Sequence, residues 1–166
     1  MLDLRFNKKL TSLTLDFNEF DEETLQTVFV DGVSENKCLT TLSLANCELK
    51  DEHIPYISEA LSHNTHLLTL NLSSNKLSSV GMLKLKDKFG DGRKSMSIRH
   101  LDLSSNLIDD QGGVYLIQAL HTQDIETLNL KNNMVKDLTA AAVCHYVETK
   151  GVRLKKIDLT MNQAIS

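Results

Sequence analysis

The stretch that decides the fold is Leu67–Leu77, which reads LLTLNLSSNKL. Its residues follow the order L-x-x-L-x-L-x-x-N-x-L, so that Leu70 and Leu72 alternate with polar neighbours. Alternation with a period of two predicts a short β-strand with one buried face. Asn75 follows this strand, at the point where the backbone has to turn. We therefore predict a buried turn whose backbone groups are bonded by an amide side chain, which both donates and accepts.

The same pattern recurs along the chain, and its polar anchors are separated by 29, 28, 31, 27 and 29 residues. A near-constant period of this length is typical of repeat proteins, in which each unit packs on its neighbours. Cys47 takes the asparagine position once, since a thiol is small and tolerates burial. The six anchors are Asn18, Cys47, Asn75, Asn106, Asn133 and Asn162.

A helix is predicted after each of the first five anchors. The third unit is longer because it carries a loop at residues 90–97, rich in turn-forming residues. Pro55 lies early in its helix, where a missing N–H is tolerated. Helix starts are predicted where an acceptor side chain can cap the first turn, at Asp21, Asp51, Ser79, Asp110 and Asp137.

Apolar residues in these segments recur at helical spacing, which predicts one buried face per helix. Helix exits are predicted at Asn36, Asn64, Gly90 and Gly151, because these residues tolerate the left-handed conformation. The inner faces are predicted to hold Leu25, Val28, Phe29 and Val33, then Ile54, Ile57 and Leu61, then Val114, Ile117 and Leu120, and finally Val143, Tyr146 and Val147.

Strand and helix alternate with connections too short for an antiparallel return, which predicts a parallel sheet with helices on its outer face. The fold class is α/β, a solenoid of about six repeats forming one domain over residues 1–166. Residues 1–9 are irregular. Leu2, Leu4 and Asn7 resemble the end of another template, and two interpretations stay open: a degenerate edge strand, or the remnant of a truncated or incompletely traced chain.

Composition excludes several classes of function. The net charge of −4 and the 41% hydrophobic content are ordinary, and no apolar run is long enough for a membrane span. No signal peptide is recognisable at the start, and the three cysteines have no metal-ligand spacing. We therefore expect a cytoplasmic protein in a reducing compartment, with no membrane partner. The basic residues near the 90–97 loop lack interleaved aromatics, so no nucleic-acid partner is predicted.

The period, the alternation of Asn and Cys at the turn, and the run from Ala60 to Leu72 resemble the ribonuclease-inhibitor-like leucine-rich repeats. That class includes ribonuclease inhibitor, the Ran GTPase-activating protein, the tropomodulin C-terminal domain and the repeat regions of innate-immune receptors. The resemblance implies a right-handed horseshoe arc with the sheet on its concave face. It also implies a non-catalytic scaffold for protein–protein interaction without cofactors, belonging to a larger assembly. The alternatives are a regulator of a small GTPase and an actin-filament-end binder of the tropomodulin type.

Partner contact is predicted on the concave strands, since most other inward positions are small and neutral. His100 and Asp102 lie two residues apart on one strand and could form a His–carboxylate pair. Without a nucleophile or an elbow beside them, no enzyme is predicted. The candidate partner-binding residues are Asp16, Phe17, His100, Asp102, Lys131, Lys156, Asp158 and Met161.

The last template is not followed by a helix within the sequence, so its apolar residues are expected to lie on an open end. We expect this end to be covered by further chain or by a partner protein, with self-association as the alternative. The size of the isolated chain in light scattering distinguishes these outcomes. The residues concerned are Leu154, Ile157, Leu159, Met161 and Ile165.

Overall fold

The computed structural model describes residues 4–149 and 153–162. It contains one parallel sheet whose six strands follow the order of the chain, from β1 at one edge to β6 at the other. The predicted parallel sheet is confirmed. The strands are β1 (Ser12–Thr14), β2 (Thr41–Ser43), β3 (Thr69–Asn71), β4 (His100–Asp102), β5 (Thr127–Asn129) and β6 (Lys156–Asp158).

The helices lie on the other side of the buried leucines. A parallel strand occupies about 4.8 Å of sheet, whereas a helix with its side chains is about 10 Å wide, so stacked repeats curve with the sheet inside. The main helices are α1 (Glu22–Leu25), which continues as a π-helix (Gln26–Val33), α2 (Ile54–His63), α3 (Ser79–Phe89), α4 (Asp110–Leu120) and α5 (Asp137–Thr149); 3₁₀ turns span Leu4–Phe6 and Asp51–His53.

The predicted bonding of the turn backbone by the anchor side chains is confirmed, and from Cys47 onward these side chains form a ladder between repeats. Asn18, by contrast, is exposed and donates to Leu15 and Asp16 of its own turn. Asn75 donates from Nδ2 to the carbonyls of Leu44 and Leu72, both at 2.9 Å. Its Oδ1 accepts from the backbone N–H groups of Cys47 at 2.9 Å and Leu49 at 3.0 Å. Each anchor from Cys47 to Asn162 therefore bonds the turn of its own repeat to that of the preceding repeat. Cys47 donates from Sγ to the carbonyl of Leu15 at 3.2 Å, and burial raises the pKa of this thiol.

A second ladder lies where the helices end and the chain leads back to the sheet. Asn64 and Gly90 are the C-caps of α2 and α3, so these two predicted helix exits are confirmed, but neither residue is left-handed: Asn64 is extended at φ −77° and Gly90 is helical at φ −69°. Asn64 is buried instead, donating to the carbonyls of Val33 and Asn36 and accepting from Leu67 N. The left-handed residues precede the anchors, at Phe17, Asn46, Ser74, Ser105, Asn132 and Met161, with Glu48 and Gly92 elsewhere.

The irregular N-terminal segment belongs to this second ladder. Its described part is the 3₁₀ turn at Leu4–Phe6, so the edge-strand interpretation is wrong for these residues. Asn36 donates to the carbonyls of Leu4 at 2.6 Å and Asn7 at 3.1 Å, and Leu4 is buried. Three predicted features, Leu2, Gly151 and Ile165, lie outside the described residues.

Most helix starts fall one residue away from the prediction. Asp21 is an N-cap as predicted, accepting from Thr24 N at 2.8 Å. The caps of α3 and α4 are Ser78 and Asp109, whereas Asp51 and Asp137 are the first residues of their helical segments. The predictions for Asp51, Ser79, Asp110 and Asp137 are therefore wrong, because any of several neighbouring polar residues can cap a helix.

Two aspartates that were predicted to cap their own helices accept hydrogen bonds from the start of the next helix instead. Asp110 accepts from Lys136 N and Thr139 N, both at 2.8 Å, and from Leu138 N at 3.1 Å. Asp51 makes the same kind of bond to Ser78 N at 2.8 Å. The carboxylate thus holds the first turn of the next helix, and repeat is bonded to repeat on the convex side as well.

The hydrogen bonds of the Asp110 carboxylate are expected to make the free energy of unfolding depend on pH. Desolvation raises the pKa of this carboxylate, but the N–H groups of Thr139, Lys136 and Leu138 outweigh this and leave it below the ordinary value. A lowered native pKa stabilises the fold above the ordinary aspartate value of about 3.9, and this contribution is lost as pH falls through the native pKa. We expect Asp110→Asn to be less stable than the wild type at pH 6, with the difference shrinking towards pH 3 in urea titrations. A difference independent of pH would contradict this linkage.

The predicted helical faces are largely confirmed. The inner residues of α2 and the buried Leu25, Phe29 and Val33 lie where predicted. The segment holding Phe29 and Val33 is π-helical, which the spacing did not indicate. Val28 and Val114 are half-buried. Val147 is 46% exposed, so its placement on the inner face is wrong.

The apolar residues of the last strand are less buried than those in the middle of the sheet. Leu42, Leu70, Leu101 and Leu128 at the strand centres are buried by a strand on each side. Leu154, Ile157 and Leu159 pack on the core but stay half-buried, since β6 has a neighbour on one side. Their cover by further chain or a partner stays a prediction.

Candidate protein-binding face

The parallel register arranges the concave side chains in two straight rows. Adjacent residues in each row lie on neighbouring strands, about 4.8 Å apart. The first row holds Ser12, Thr41, Thr69, His100, Thr127 and Lys156, and the second holds Thr14, Ser43, Asn71, Asp102, Asn129 and Asp158.

In the N-terminal half of this face, polar side chains are hydrogen-bonded to groups on the neighbouring repeats. Asp16, a predicted partner-binding residue, accepts from Ser43 Oγ at 2.6 Å and Ala45 N at 2.8 Å. Asn71 donates from Nδ2 to Ser43 Oγ at 3.0 Å. These bonds tie β1 to β2 and β2 to β3, so Asp16 has a structural role in addition to any role in binding.

His100 and Asp102 do not form the predicted His–carboxylate hydrogen bond. His100 Nδ1 lies 3.0 Å from Thr127 Oγ1 on the next strand. Asp102 accepts from Ser104 N at 2.8 Å, from Ser104 Oγ at 2.6 Å and from Asn129 Nδ2 at 2.9 Å. His100 therefore bonds across the sheet, whereas Asp102 bonds both across the sheet, to Asn129, and along its own segment, to Ser104. The possibility of a catalytic pair is therefore not supported.

The two lysines of the candidate set remain accessible. Lys131 and Lys156 are exposed. Asp158 accepts from Thr160 N at 2.9 Å and Thr160 Oγ at 2.6 Å. These hydrogen bonds, with smaller contributions from the two nearby lysines, lower the pKa of Asp158. The face therefore ends in a charged cluster of Lys131, Lys156 and Asp158 at β5 and β6.

The two apolar candidates lie at opposite ends of the face. Phe17 is 78% exposed and Met161 is 68% exposed. Both adopt a left-handed backbone, at φ 60° and 59°. They follow β1 and β6, five strand spacings or about 24 Å apart, so the fold does not bring them together.

Between the ends lies a shallow depression of about 310 Å³ over β3, β4 and β5. Its polar lining comes from Asn71, His100, Asp102, Thr127 and Asn129, together with Thr69. The neutral residues of this lining, Thr69, Asn71, Thr127 and Asn129, were not among the predicted site residues, because small polar residues recur in every repeat and do not distinguish a binding site. The pairing of the parallel strands would have identified them, since it places them beside His100 and Asp102.

Neither metal chemistry nor membrane crossing is indicated by the described ranges 4–149 and 153–162. They contain no cluster of three or more His, Cys, Asp or Glu side chains suited to a metal ion. No helix within the same ranges has the length and apolar character of a membrane span.

The basic residues around the 90–97 loop are largely bonded within the protein. Lys88 forms an ion pair with Glu59 of the preceding helix. Arg99 Nη1 lies 3.0 Å from Glu126 Oε1. Lys84 donates from Nζ to the carbonyl of Asp51 at 2.9 Å. These contacts cross from one repeat to the next, which gives the cations a structural role.

Comparison with known proteins agrees with this architecture. A family model described as "Leucine Rich repeat" matches residues 35–52, 63–86 and 94–116. Mouse "NACHT, LRR and PYD domains-containing protein 4C" is 28% identical over 165 residues, covering 92% of this chain and 15% of that protein. Mouse "Ribonuclease inhibitor" is 27% identical over 156 residues, covering 93% of this chain and 34% of the inhibitor.

A solved structure gives an independent comparison of the fold. The tropomodulin C-terminal domain of Caenorhabditis elegans superposes with a TM-score of 0.63 at 16% identity, covering 87% of each chain. The repeat matches and the fold identify an α/β solenoid of leucine-rich repeats, and its sequence is similar to ribonuclease inhibitor and to proteins of the NACHT, LRR and PYD type. The chain spans about a seventh to a third of the length of the two relatives compared with it.

Proposed function

We propose that this protein is a non-catalytic protein-binding module, one domain over residues 1–166. Its partner contacts the concave face of the last three strands. The observation that carries the proposal is the charged cluster of Lys131, Lys156 and Asp158, which borders the shallow depression over β3 to β5. The face is broad and open, which suits a protein surface better than a small substrate. A cytoplasmic location is proposed with it, since Cys47 occupies its anchor as a free buried thiol.

The polar floor and the charged end have different roles in this proposal. Asp102 and Asn129 are already bonded to each other, so they hold the shape of the floor. Lys131 and Lys156 project accessible cations, which steer a partner and set its orientation. The complementary partner surface is acidic where it meets these lysines.

The lysine pair provides the test. In affinity capture with quantitative mass spectrometry, followed by titration of the purified partner, we expect Lys131→Glu/Lys156→Glu to weaken binding about ten-fold or more, equivalent to about 1.4 kcal/mol. Lys37→Glu/Lys94→Glu is the matched control, because it reverses two exposed lysines on loops leading from helix to strand.

The control variant should bind like the wild type, and both should keep the wild-type circular dichroism. A partner insensitive to the Lys131/Lys156 reversal and lost on Glu148→Arg, at an exposed site of α5, would place binding on the convex side and contradict the proposal. The resemblance also implied a regulator of a small GTPase or an actin-filament-end binder. Both stay predictions, since likeness to tropomodulin at 16% identity concerns the fold.

A further inference from the structure

Exposed apolar side chains cluster on the segments that lead from each strand to the following helix. We call the exposed surface of these segments (residues 19–24, 48–53, 76–80, 107–111 and 134–138) the strand-to-helix rim. Among the described residues nine large hydrophobic side chains are exposed, and four of them lie on this rim in three consecutive repeats. They are Val80 at 55%, Leu107 at 51%, Met134 at 38% and Leu138 at 58%.

Backbone hydrogen bonds hold these segments side by side. Leu107 N donates to the carbonyl of Leu77, and Met134 N donates to that of Ile108, both at 2.8 Å. Isolated parallel bridges join Ser78 to Leu107 and Asp109 to Met134. Successive segments are therefore spaced like strands, about 4.8 Å apart, which places Leu107 beside Met134. Val80 and Leu138 lie in the first turns of α3 and α5, and we call the four positions together the apolar stripe.

The fold does not require apolar residues at these positions. Ile108 and Val135, the next residues along the chain, are fully buried and fill the core. The positions equivalent to Leu107 and Met134 in earlier repeats are Glu48 and Lys76, which form an ion pair. A polar residue is thus compatible with this geometry, and the apolar stripe points to a contact outside the chain.

The part of the rim next to the stripe, residues 19–24, 48–53 and 76, is acidic. Its two lysines are both paired: Lys76 with Glu48, and Lys50 with Glu52 at 3.7 Å. In residues 19–24, 48–53 and 76, six exposed carboxylates stand against these two lysines, which leaves an excess of negative charge beside the stripe. The six carboxylates are Glu19, Asp21, Glu22, Glu23, Glu48 and Glu52. Within 107–111 and 134–138 the exposed charged residues are Asp109, Lys136 and Asp137.

We propose that the strand-to-helix rim binds a basic amphipathic protein segment. Its aliphatic or aromatic side chains lie on Val80, Leu107, Met134 and Leu138, and its Lys or Arg residues face the carboxylates of the first two repeats. An anionic membrane or a nucleic acid is disfavoured, because the same carboxylates repel it. This site is separate from the concave face and does not depend on Lys131 or Lys156.

The test uses a random 16-residue peptide library displayed on phage and selected on the whole 166-residue chain. We expect enriched peptides to combine a Lys/Arg cluster with a neighbouring aliphatic or aromatic group. Synthetic versions are then titrated by fluorescence anisotropy at low and high salt. Leu107→Gln/Met134→Gln should weaken binding at least ten-fold, and Glu19→Gln/Glu23→Gln about three-fold with a reduced salt dependence.

Val147→Gln is the matched control, because it removes an exposed apolar side chain from the far part of α5. It should leave affinity unchanged within two-fold. Photo-crosslinking of the peptide to the wild-type protein gives a second readout that needs no variant, and the products should map to residues 76–80, 107–111 and 134–138. The proposal is overturned if no peptide is enriched, if enriched peptides are acidic, if crosslinks map elsewhere, or if affinity falls with Lys131→Glu/Lys156→Glu and not with the rim variants.

Discussion

Replacing Asn106 with alanine is expected to lower the free energy of unfolding by about 3 kcal/mol. Asn106 is buried, accepts from Leu77 N at 3.1 Å and donates to the carbonyls of Leu72 and Leu103 at 3.0 Å. Alanine leaves these backbone groups without partners in a site that water cannot enter freely. Since the bonds link two repeats, we expect a loss of cooperativity together with a fall in Tm of about 6–12 °C. Thermal and urea unfolding followed by circular dichroism measure both effects.

Asn18→Ala is the matched control for the anchor ladder. Asn18 occupies the same template position, but it is exposed, and its side chain donates to the carbonyls of Leu15 and Asp16 of its own turn. Water can replace these bonds, so we expect a loss below about 1 kcal/mol. Equal losses for Asn18→Ala and Asn106→Ala would show that bonding between repeats is not the source of the stabilisation.

Gly113→Ala is expected to cost about 2 kcal/mol through overpacking between α4 and α5. A Cβ atom at this position would lie 2.1 Å from Thr139 Oγ1 and 2.7 Å from Thr139 Cγ2. Thr139 is fully buried, and its hydroxyl donates to the Asp110 carboxylate at 2.8 Å. Thr139 therefore cannot turn away without losing this bond between repeats. Urea unfolding of the purified variant measures the loss.

A double-mutant cycle with Thr139→Ala separates steric conflict from other effects of the glycine substitution. Alanine at position 139 removes both atoms that approach closest. The double variant should therefore be more stable than the sum of the two single losses implies, with a coupling of about 1 kcal/mol. Additive losses would contradict the proposed clash at Thr139.

The two proposed binding surfaces use different physical principles. The concave face offers accessible lysines at the end of a floor of mutually bonded polar groups, so it suits an acidic partner surface. The strand-to-helix rim combines an apolar stripe with carboxylates, so it suits a basic amphipathic segment. Their opposite charge preferences mean that one partner segment is not expected to bind equally well to both.

The sequence by itself determined the repeat, the strands and most of the buried faces. Leu70, Leu72 and Asn75 could be assigned to strand and turn because their periodicity follows from local backbone geometry, which is the same in every repeat. The candidate binding residues were placed on the concave face for the same reason. Whether His100 and Asp102 would bond to each other was not determined, since their hydrogen-bond partners lie on the next strand.

Tertiary structure alone decided which polar side chains hold the repeats together and which remain accessible. Asp51 and Asp110 look like caps of their own helices, yet they bond to Ser78 and Thr139 in the next repeat. Asn64 looks like a helix exit chosen for its tolerance of the left-handed conformation, yet its side chain bonds buried carbonyls of the preceding repeat. Such bonds join residues 27 to 31 positions apart, so they depend on how the repeats stack. The spacing of residues within one repeat therefore does not predict them.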